Sequence, residues 1–397
     1  MASCGRAVTK SEKGARDLSM SDTSDPSPLR VLIVGGGIAA LEAALALDEL
    51  AGELTERTVV APNDEFVLRA WSVREPFSEP AANRWPLDDI LAAANARRVV
   101  DELESVDATG RSVLLRSGTT LDYDALILAV GARPVARYEH AATIDDASMY
   151  ATLGGLVRDV EEGYVDSVAF VSPPRIAWPL PLYELALLTA ARAYEMGAEV
   201  RPSIVTPEEA PLAIFGRESS EVVRGLLADA GIEVICSAYA EVPRSGEVVV
   251  SPGERVLHAA RIVALPELMG PSIAGLPEAA NGFLKIDQHA RVPETEGVYA
   301  AGDAVDFAVK HGAVGAQQAD AAAEDVAALA GAAIEPQAFR PVISGMLLTG
   351  GHPLFMEADI AGGSGSAPAA YRAPAAESGK LVTRFLTPAL ERLSATR

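Results

Sequence analysis

Val31-Leu32-Ile33-Val34-Gly35-Gly36-Gly37-Ile38-Ala39-Ala40-Leu41-Glu42-Ala43-Ala44 constrains this chain more than any other stretch. Four apolar residues read as a buried strand, the glycines as a tight turn, and the alanine-rich run as a helix. Gly35-x-Gly37-x-x-Ala40 is the spacing that a dinucleotide pyrophosphate requires. The first glycine makes the turn, the second lets phosphate approach bare backbone, and the small third residue lets helix and strand pack closely. Gly36, Ile38 and Ala39 lie between these positions and complete the candidate cradle. The helix N-terminus adds free N–H groups and the positive end of its dipole.

The rest of the chain is long enough for about two or three domains. Its formal net charge of −22 argues against nucleic acid and anionic membrane as general partners, since both would repel it. Five lysines, at positions 10, 13, 285, 310 and 380, stand among 33 basic residues, so each one in the folded part calls for a reason. Cys4 and Cys236 are the only cysteines, which excludes a disulfide framework, a CxxC redox pair and a cysteine-rich metal site. With no apolar run of membrane-spanning length and no signal-peptide core, the chain reads as cytoplasmic. Residues 1–29 read as a disordered, polar extension. Met20, followed by Ser-Asp-Thr-Ser-Asp-Pro, is an alternative start that would leave the first nineteen residues untranslated.

After the first helix, Thr58-Val59-Val60-Ala61 reads as a strand whose end ordinarily carries an acid for the adenosine ribose. Ala61 stands there instead, and Asn63, Asp64 and Glu65 come next as substitutes or as a charged turn. Short strands are expected at Arg97-Arg98-Val99-Val100 and Ser112-Val113-Leu114-Leu115-Arg116. Leu121 to Pro134 then contains an apolar run that ends in Ala129-Val130-Gly131, small enough for the chain to pass close to a cofactor before leaving for another domain.

Together with the later Gly297-Val298-Tyr299-Ala300-Ala301-Gly302-Asp303, these motifs resemble the two-dinucleotide-domain flavoproteins of the pyridine nucleotide-disulfide oxidoreductase superfamily. The branch most resembled holds type II NADH dehydrogenases, sulfide:quinone oxidoreductases and the flavoprotein of flavocytochrome c sulfide dehydrogenase. The resemblance implies an α/β fold with two Rossmann-type domains. Residues 30–145 and 266–340 would form an FAD domain, 146–265 an inserted NAD(P)-type domain, and 341–397 a small C-terminal segment.

The inserted domain repeats the strand–turn–helix opening at Ser167-Val168-Ala169-Phe170-Val171 and Tyr183-Glu184-Leu185. Between them stands Ser172-Pro173-Pro174-Arg175-Ile176-Ala177-Trp178-Pro179-Leu180-Pro181-Leu182. Proline offers no N–H to a phosphate and cannot adopt the positive angles that glycine supplies, which argues against ordinary NAD(P)H binding on this loop. The loop resembles that of flavocytochrome c sulfide dehydrogenase, in which a redox-active cysteine lies between the prolines and the Tyr-Glu pair. Ala177 or Trp178 holds that region here, so cysteine-pair chemistry is not expected, and Cys236 reads as a small buried hydrophobe in a strand. In the resembled family the glutamate at Glu184 lies near the flavin face and orients substrate or tunes proton transfer. Compensation of a helix N-terminal dipole is the alternative reading.

The resemblance further implies that Asp303, beside Gly302, bonds the ribityl chain of FAD. A simple N-cap is the alternative. The helix that opens near Gly312 would place its N-terminus and Lys310 under the pyrimidine end of the flavin, with a solvated surface lysine as the alternative. Gln317 and Gln318 resemble glutamines that line a quinone site, or form a polar helix face. Leu103 would border the adenine. The segment from Lys380 to Leu390 reads as helical, with Leu381 and Phe385 on one face. Packing of this segment on the FAD domain is favoured over peripheral membrane contact. The expected function is electron transfer from a small-molecule donor through FAD to an acceptor such as a quinone. An NADH dehydrogenase is one alternative, and an FAD-binding partner or sensor protein without turnover is another.

Overall fold

The computed structural model describes residues 1–2, 27–78, 83–144, 149–360 and 380–395. Most of the N-terminal extension, with its expected disorder, lies outside them, as does the Ala/Gly/Ser/Pro-rich stretch 361–376 that reads as a loop in the sequence. The first sheet takes β1 (Leu29–Val34), β2 (Thr55–Val60), β3 (Arg97–Val99) and β4 (Ala125–Leu128). The chain then leaves to build a second sheet from β5 (Ala142–Thr143), β6 (Ser167–Val171), β7 (Arg201–Val205), β8 (Glu233–Ile235) and β9 (Arg261–Ala264). It returns to the first sheet with β10 (Val298–Ala300). The strand orders are β10-β4-β1-β2-β3 and β5-β9-β6-β7-β8, and every pairing in both is parallel. The fold is therefore α/β, with two Rossmann-type sheets and the first split by the second.

Strand alternation explains why β1 is apolar throughout. Val31 and Ile33 face a layer that includes helix α1 (Ile38–Ala51), whereas Leu32 and Val34 face Val106, Val113 and Leu115 of an antiparallel meander. A parallel sheet covered on both sides buries both sets, and period-2 polarity is lost. The meander contains a strand, Leu103–Asp107, that sequence pattern did not single out, because its Glu104 and Asp107 point to solvent and dilute the apolar signal.

Helix α1 is buried along most of its length, and its alanines admit close approach of α3 (Gly312–Leu329), itself rich in buried alanine. The second sheet carries α2 (Leu180–Met196) on one face. After α3 an antiparallel hairpin, β11 (Val342–Leu347) and β12 (Leu354–Asp359), packs Ile343, Leu347, Leu354 and Met356 into the core of the second sheet. The last helix, α4 (Leu386–Ala395), places Leu386, Ala389 and Leu390 in the core of the first. The C-terminal segment therefore straps both layers together.

Helix α4 starts later than the sequence pattern suggested, at Leu386, with Lys380 and Leu381 outside it. The cause is a remote cap. Both oxygens of the fully buried Glu42 on α1 accept N–H groups from Phe385 and Leu386, at 2.8 and 2.6 Å. Pro388 falls in the first turn, where no intrahelical N–H bond is lost. Among the described residues, no helix is long and apolar enough to cross a membrane.

Candidate functional site

Above the carboxyl ends of the first sheet lies a cleft of about 1300 Å³. Ligands of open parallel sheets bind at this position. Its floor is the turn from β1 into α1. Gly35 has φ +132°, and a Cβ there would stand 2.2 Å from the carbonyl oxygen of Ala129, so only glycine fits. At Gly37 nothing stands within 4 Å of an added Cβ, which leaves backbone open to a ligand. Gly37 is also the N-cap of α1 and provides no side-chain cap, so the first N–H groups of the helix await an acceptor. A second close approach sits alongside, where a Cβ on Gly315 would meet the Gly302 Cα at 2.8 Å.

Gly35, Gly36, Gly37, Ile38, Ala39, Leu103, Ala129, Gly131, Glu184, Gly302, Asp303, Lys310 and Gly312 all line this one cleft. Ala40 does not. It is fully buried within α1 and serves the packing of helix on sheet, so its smallness is used without contact to the cleft. Ala61 is likewise fully buried, its methyl 3.2 Å from where a Gly36 Cβ would be. An acid has no room there. Of the three residues beyond it, Asp64 pairs with Arg98 at 2.9 Å, and the same guanidinium holds Asp88 at 3.2 Å.

Asp303 lies in a short 3-10 turn, Gly302–Ala304, just after β10. Burial pushes its carboxyl up and the nearby Lys310 pulls it back. Lys310 precedes α3 by two residues. Its ammonium donates to the carbonyl of Asp303 at 3.1 Å and to that of Val305, and lies 3.9 Å from the centroid of the Phe283 ring. Burial pulls it down to about 8, so it keeps its charge at neutral pH and loses it just above. The next residue, His311, is driven down to about 4 by burial, and its buried Nδ1 has no hydrogen-bond partner among the described residues. Its ring packs on Trp178 at a centroid distance of 4.5 Å.

Glu184 is not a first-turn residue. Helix α2 begins at Leu180 and has no acid in its first turn, which removes the dipole reading. Both carboxylate oxygens instead bind the Lys380 ammonium, at 2.6 and 2.7 Å, and one also accepts the Leu348 N–H at 2.9 Å. Burial pushes the Glu184 carboxyl up, against the pull of Lys380. In the sequence Lys380 stood as one of five lysines and at the head of the last helical segment, with no sign of this partner, because 196 residues separate the two. The two glutamines do not face the cleft. Gln317 exchanges two hydrogen bonds with the backbone of Val342, and Gln318 accepts the Gly302 N–H at 2.8 Å. They anchor β11 and the Gly302 turn. Cys236 falls one residue beyond β8 and is half-buried, its thiol pushed up by burial and by the nearby Glu208.

The family model for pyridine nucleotide-disulphide oxidoreductases matches residues 16–151, the part that contains the glycine turn and β1 to β4. An NADH dehydrogenase-like protein of Mycobacterium tuberculosis is 29% identical over 292 residues, covering 69% of this chain and 72% of the relative. Residues 16–151 thus match the pyridine nucleotide-disulphide oxidoreductase pattern, and the chain over a longer stretch is similar to an NADH dehydrogenase-like protein. Among solved structures, this flavoprotein is similar to the sulfide:quinone oxidoreductase of Aquifex aeolicus, with a TM-score of 0.76 and 18% identity. That match covers 87% of this chain and 86% of the other. It is also similar to a ferredoxin reductase of Rhodopseudomonas palustris, with a TM-score of 0.64 and 20% identity over 82% of this chain and 81% of that one. At these identities the two structures speak for the fold. The protein is a flavin-dependent oxidoreductase and FAD is its cofactor. The cleft suits that group in its volume, its open α1 N-terminus and its bare Gly37 backbone.

Proposed function

We propose that this flavoprotein passes electrons from a small-molecule donor, through FAD in the cleft over the first sheet, to an acceptor of the quinone class. The observation that carries the reading is the convergence of the Gly35–Gly37 turn, Asp303 and Lys310 on one cleft, although most of the chain lies between the two ends of that set. Gly35, Gly36 and Gly37 with the α1 N-terminus would hold the pyrophosphate, with Ile38 and Ala39 beside it. Ala129 and Gly131 would let the chain pass close, Leu103 would border the adenine, and Asp303 would take the ribityl hydroxyls. When bound, FAD supplies a ring that accepts two electrons from one partner and yields them to another.

The protein's own contribution is positional and electrostatic. Lys310, held in place by two carbonyls and the Phe283 face, puts a positive charge beside Gly312 and the start of α3. That charge favours an electron-rich ring. Glu184 and Lys380 form a neutral-sum pair at the cleft wall, where one proton can be held between them without leaving a net buried charge. The pair is the candidate for proton handling as electrons pass.

The identity of the donor separates this reading from its alternatives. The likeness to an NADH dehydrogenase-like protein favours NADH as donor, whereas the four prolines of the Ser172–Leu182 loop oppose it. The deciding measurement is an anaerobic absorbance spectrum of the purified protein before and after NADH, then after a quinol in its place. Flavin bands that persist with NADH and bleach with the quinol, the acceptor reaction run in reverse, support the proposal. Bands absent even after reconstitution with FAD would overturn it. Flavin that no donor or acceptor exchanges with would point to a protein without turnover.

A further inference from the structure

The second sheet has its own place for a nucleotide, and the structure shows what fills it. In a doubly wound sheet the acid that binds the adenosine ribose comes after the second strand of the unit. Here that strand is β7, which ends at Val205, and Glu208 comes three residues later. Its carboxylate is already engaged. The Tyr183 hydroxyl donates to Oε2 at 2.7 Å and the Thr206 hydroxyl to the same oxygen at 3.0 Å. Backbone N–H groups of Leu212 and Ala213 also act on the carboxylate.

Tyr183 is fully buried. It stands at the fourth position of α2, immediately behind the loop whose prolines offer no N–H to phosphate. That loop is itself tied down. Lys310 donates its backbone N–H to the Ala177 carbonyl at 3.1 Å. Trp178 meets Phe215 edge-on at 5.8 Å and packs on His311 at 4.5 Å. Tyr138 donates to the Ser172 carbonyl at 3.1 Å. The prolines, the tethered loop and the occupied acid act in the same direction.

We infer that Tyr183 is a specificity-determining residue, whose hydroxyl takes on Glu208 the place of ribose hydroxyls and keeps the nucleotide subsite of the second sheet closed, so that the donor is not a nicotinamide dinucleotide. The inference rests on the flavoprotein reading only for what the electrons enter. A ribose diol arriving at Glu208 would have to displace a buried phenol from its acceptor, leaving an unsatisfied polar group behind. A hydroxyl that completes the shell of a half-buried carboxylate is a barrier that any ribose must displace.

The test uses purified full-length protein and two probes, NADH and ADP-ribose. Binding is followed by NADH fluorescence and by competition, and flavin bleaching by NADH is followed separately. Wild type is expected to show no saturable binding of either probe up to millimolar concentration. Tyr183→Phe keeps the ring and frees Glu208, and is expected to gain at least about tenfold in affinity for both. Adding Glu208→Gln to Tyr183→Phe is expected to remove that gain, which a general loosening of the fold would not do. Micromolar NADH binding by wild type, weakened by Glu208→Gln alone, would overturn the inference, because Glu208 would then already serve the ribose. A folded Tyr183→Phe protein without gain for either probe would overturn it as well. Probe binding needs no flavin, so a failure to take up FAD would sink the flavoprotein reading while leaving this result legible.

Discussion

The two parallel sheets share one strand order around their opening strand and differ in the turn that leads out of it. After β1 come three glycines, an uncapped helix N-terminus and open backbone at Gly37. After β6 come prolines, a tryptophan pinned between Phe215 and His311, and a tyrosine that occupies the acid beyond β7. The same topology produces one open nucleotide cleft and one closed one. Fold supplies the location, and a few residues at the first turn decide whether anything can bind there.

That contrast is broken most severely at Gly35. Gly35→Val puts a Cβ against the Ala129 carbonyl and imposes a positive φ on a branched side chain. A loss of about 5 kcal/mol is expected, with no flavin retained. Thermal unfolding and the ratio of flavin to protein absorbance would check this, and a yellow, stable variant would contradict the cleft geometry.

The wall between the two regions comes next. Lys380→Met leaves Glu184 buried beside an apolar group and is expected to cost about 3 kcal/mol. The double variant Lys380→Met/Glu184→Gln should recover much of that, because the stranded charge is gone. Denaturant titrations of the two variants and the wild type measure it, and equal losses in the single and double variants would mean the pair is not coupled.

Asp320 on α3 has a buried oxygen without a hydrogen-bond partner among the described residues, and burial together with Glu42 pushes its carboxyl up to about 8. A carboxyl raised in the folded state contributes its stability below its unfolded pKa and loses it as pH rises through the folded value. Asp320→Asn is therefore expected to change stability little at pH ~4 and to stabilise by about 2 kcal/mol at pH ~8. Denaturant midpoints at the two pH values decide the sign.

The smallest effect is on the open cleft itself. Lys310→Met removes the cation beside the start of α3 and is expected to lower the flavin midpoint potential by about 30 mV at pH ~7. The difference should shrink as pH passes about 8, where the wild-type lysine gives up its proton. Spectroelectrochemistry across that range would show parallel lines for the two proteins if Lys310 does not act on the ring.

Much of the cleft was legible in the sequence because its parts are local. A strand, a turn of glycines and a small-residue helix are specified by neighbours a few residues apart, and the Gly302-Asp303 return carries its own pattern. Twelve of the thirteen residues expected to bind cofactor line the cleft, and Ala40 is the exception because its contribution is packing. His311 was missed, since one histidine before a helix carries no pattern and its desolvation appears only once Trp178 lies on it.

By itself the sequence determined that two strand–turn–helix units exist, that glycines make the first turn and that four prolines stand in the second. Tertiary structure alone decided which side chains meet. It turned Glu184 from a helix-end acid into the partner of a lysine 196 residues away, and moved Gln317 and Gln318 from a site to a scaffold. It set the start of α4 by a cap 344 residues distant and seated Tyr183 on Glu208. Desolvation makes such pairings decisive, because a buried polar group must find a partner and only the packed chain shows which one is within reach.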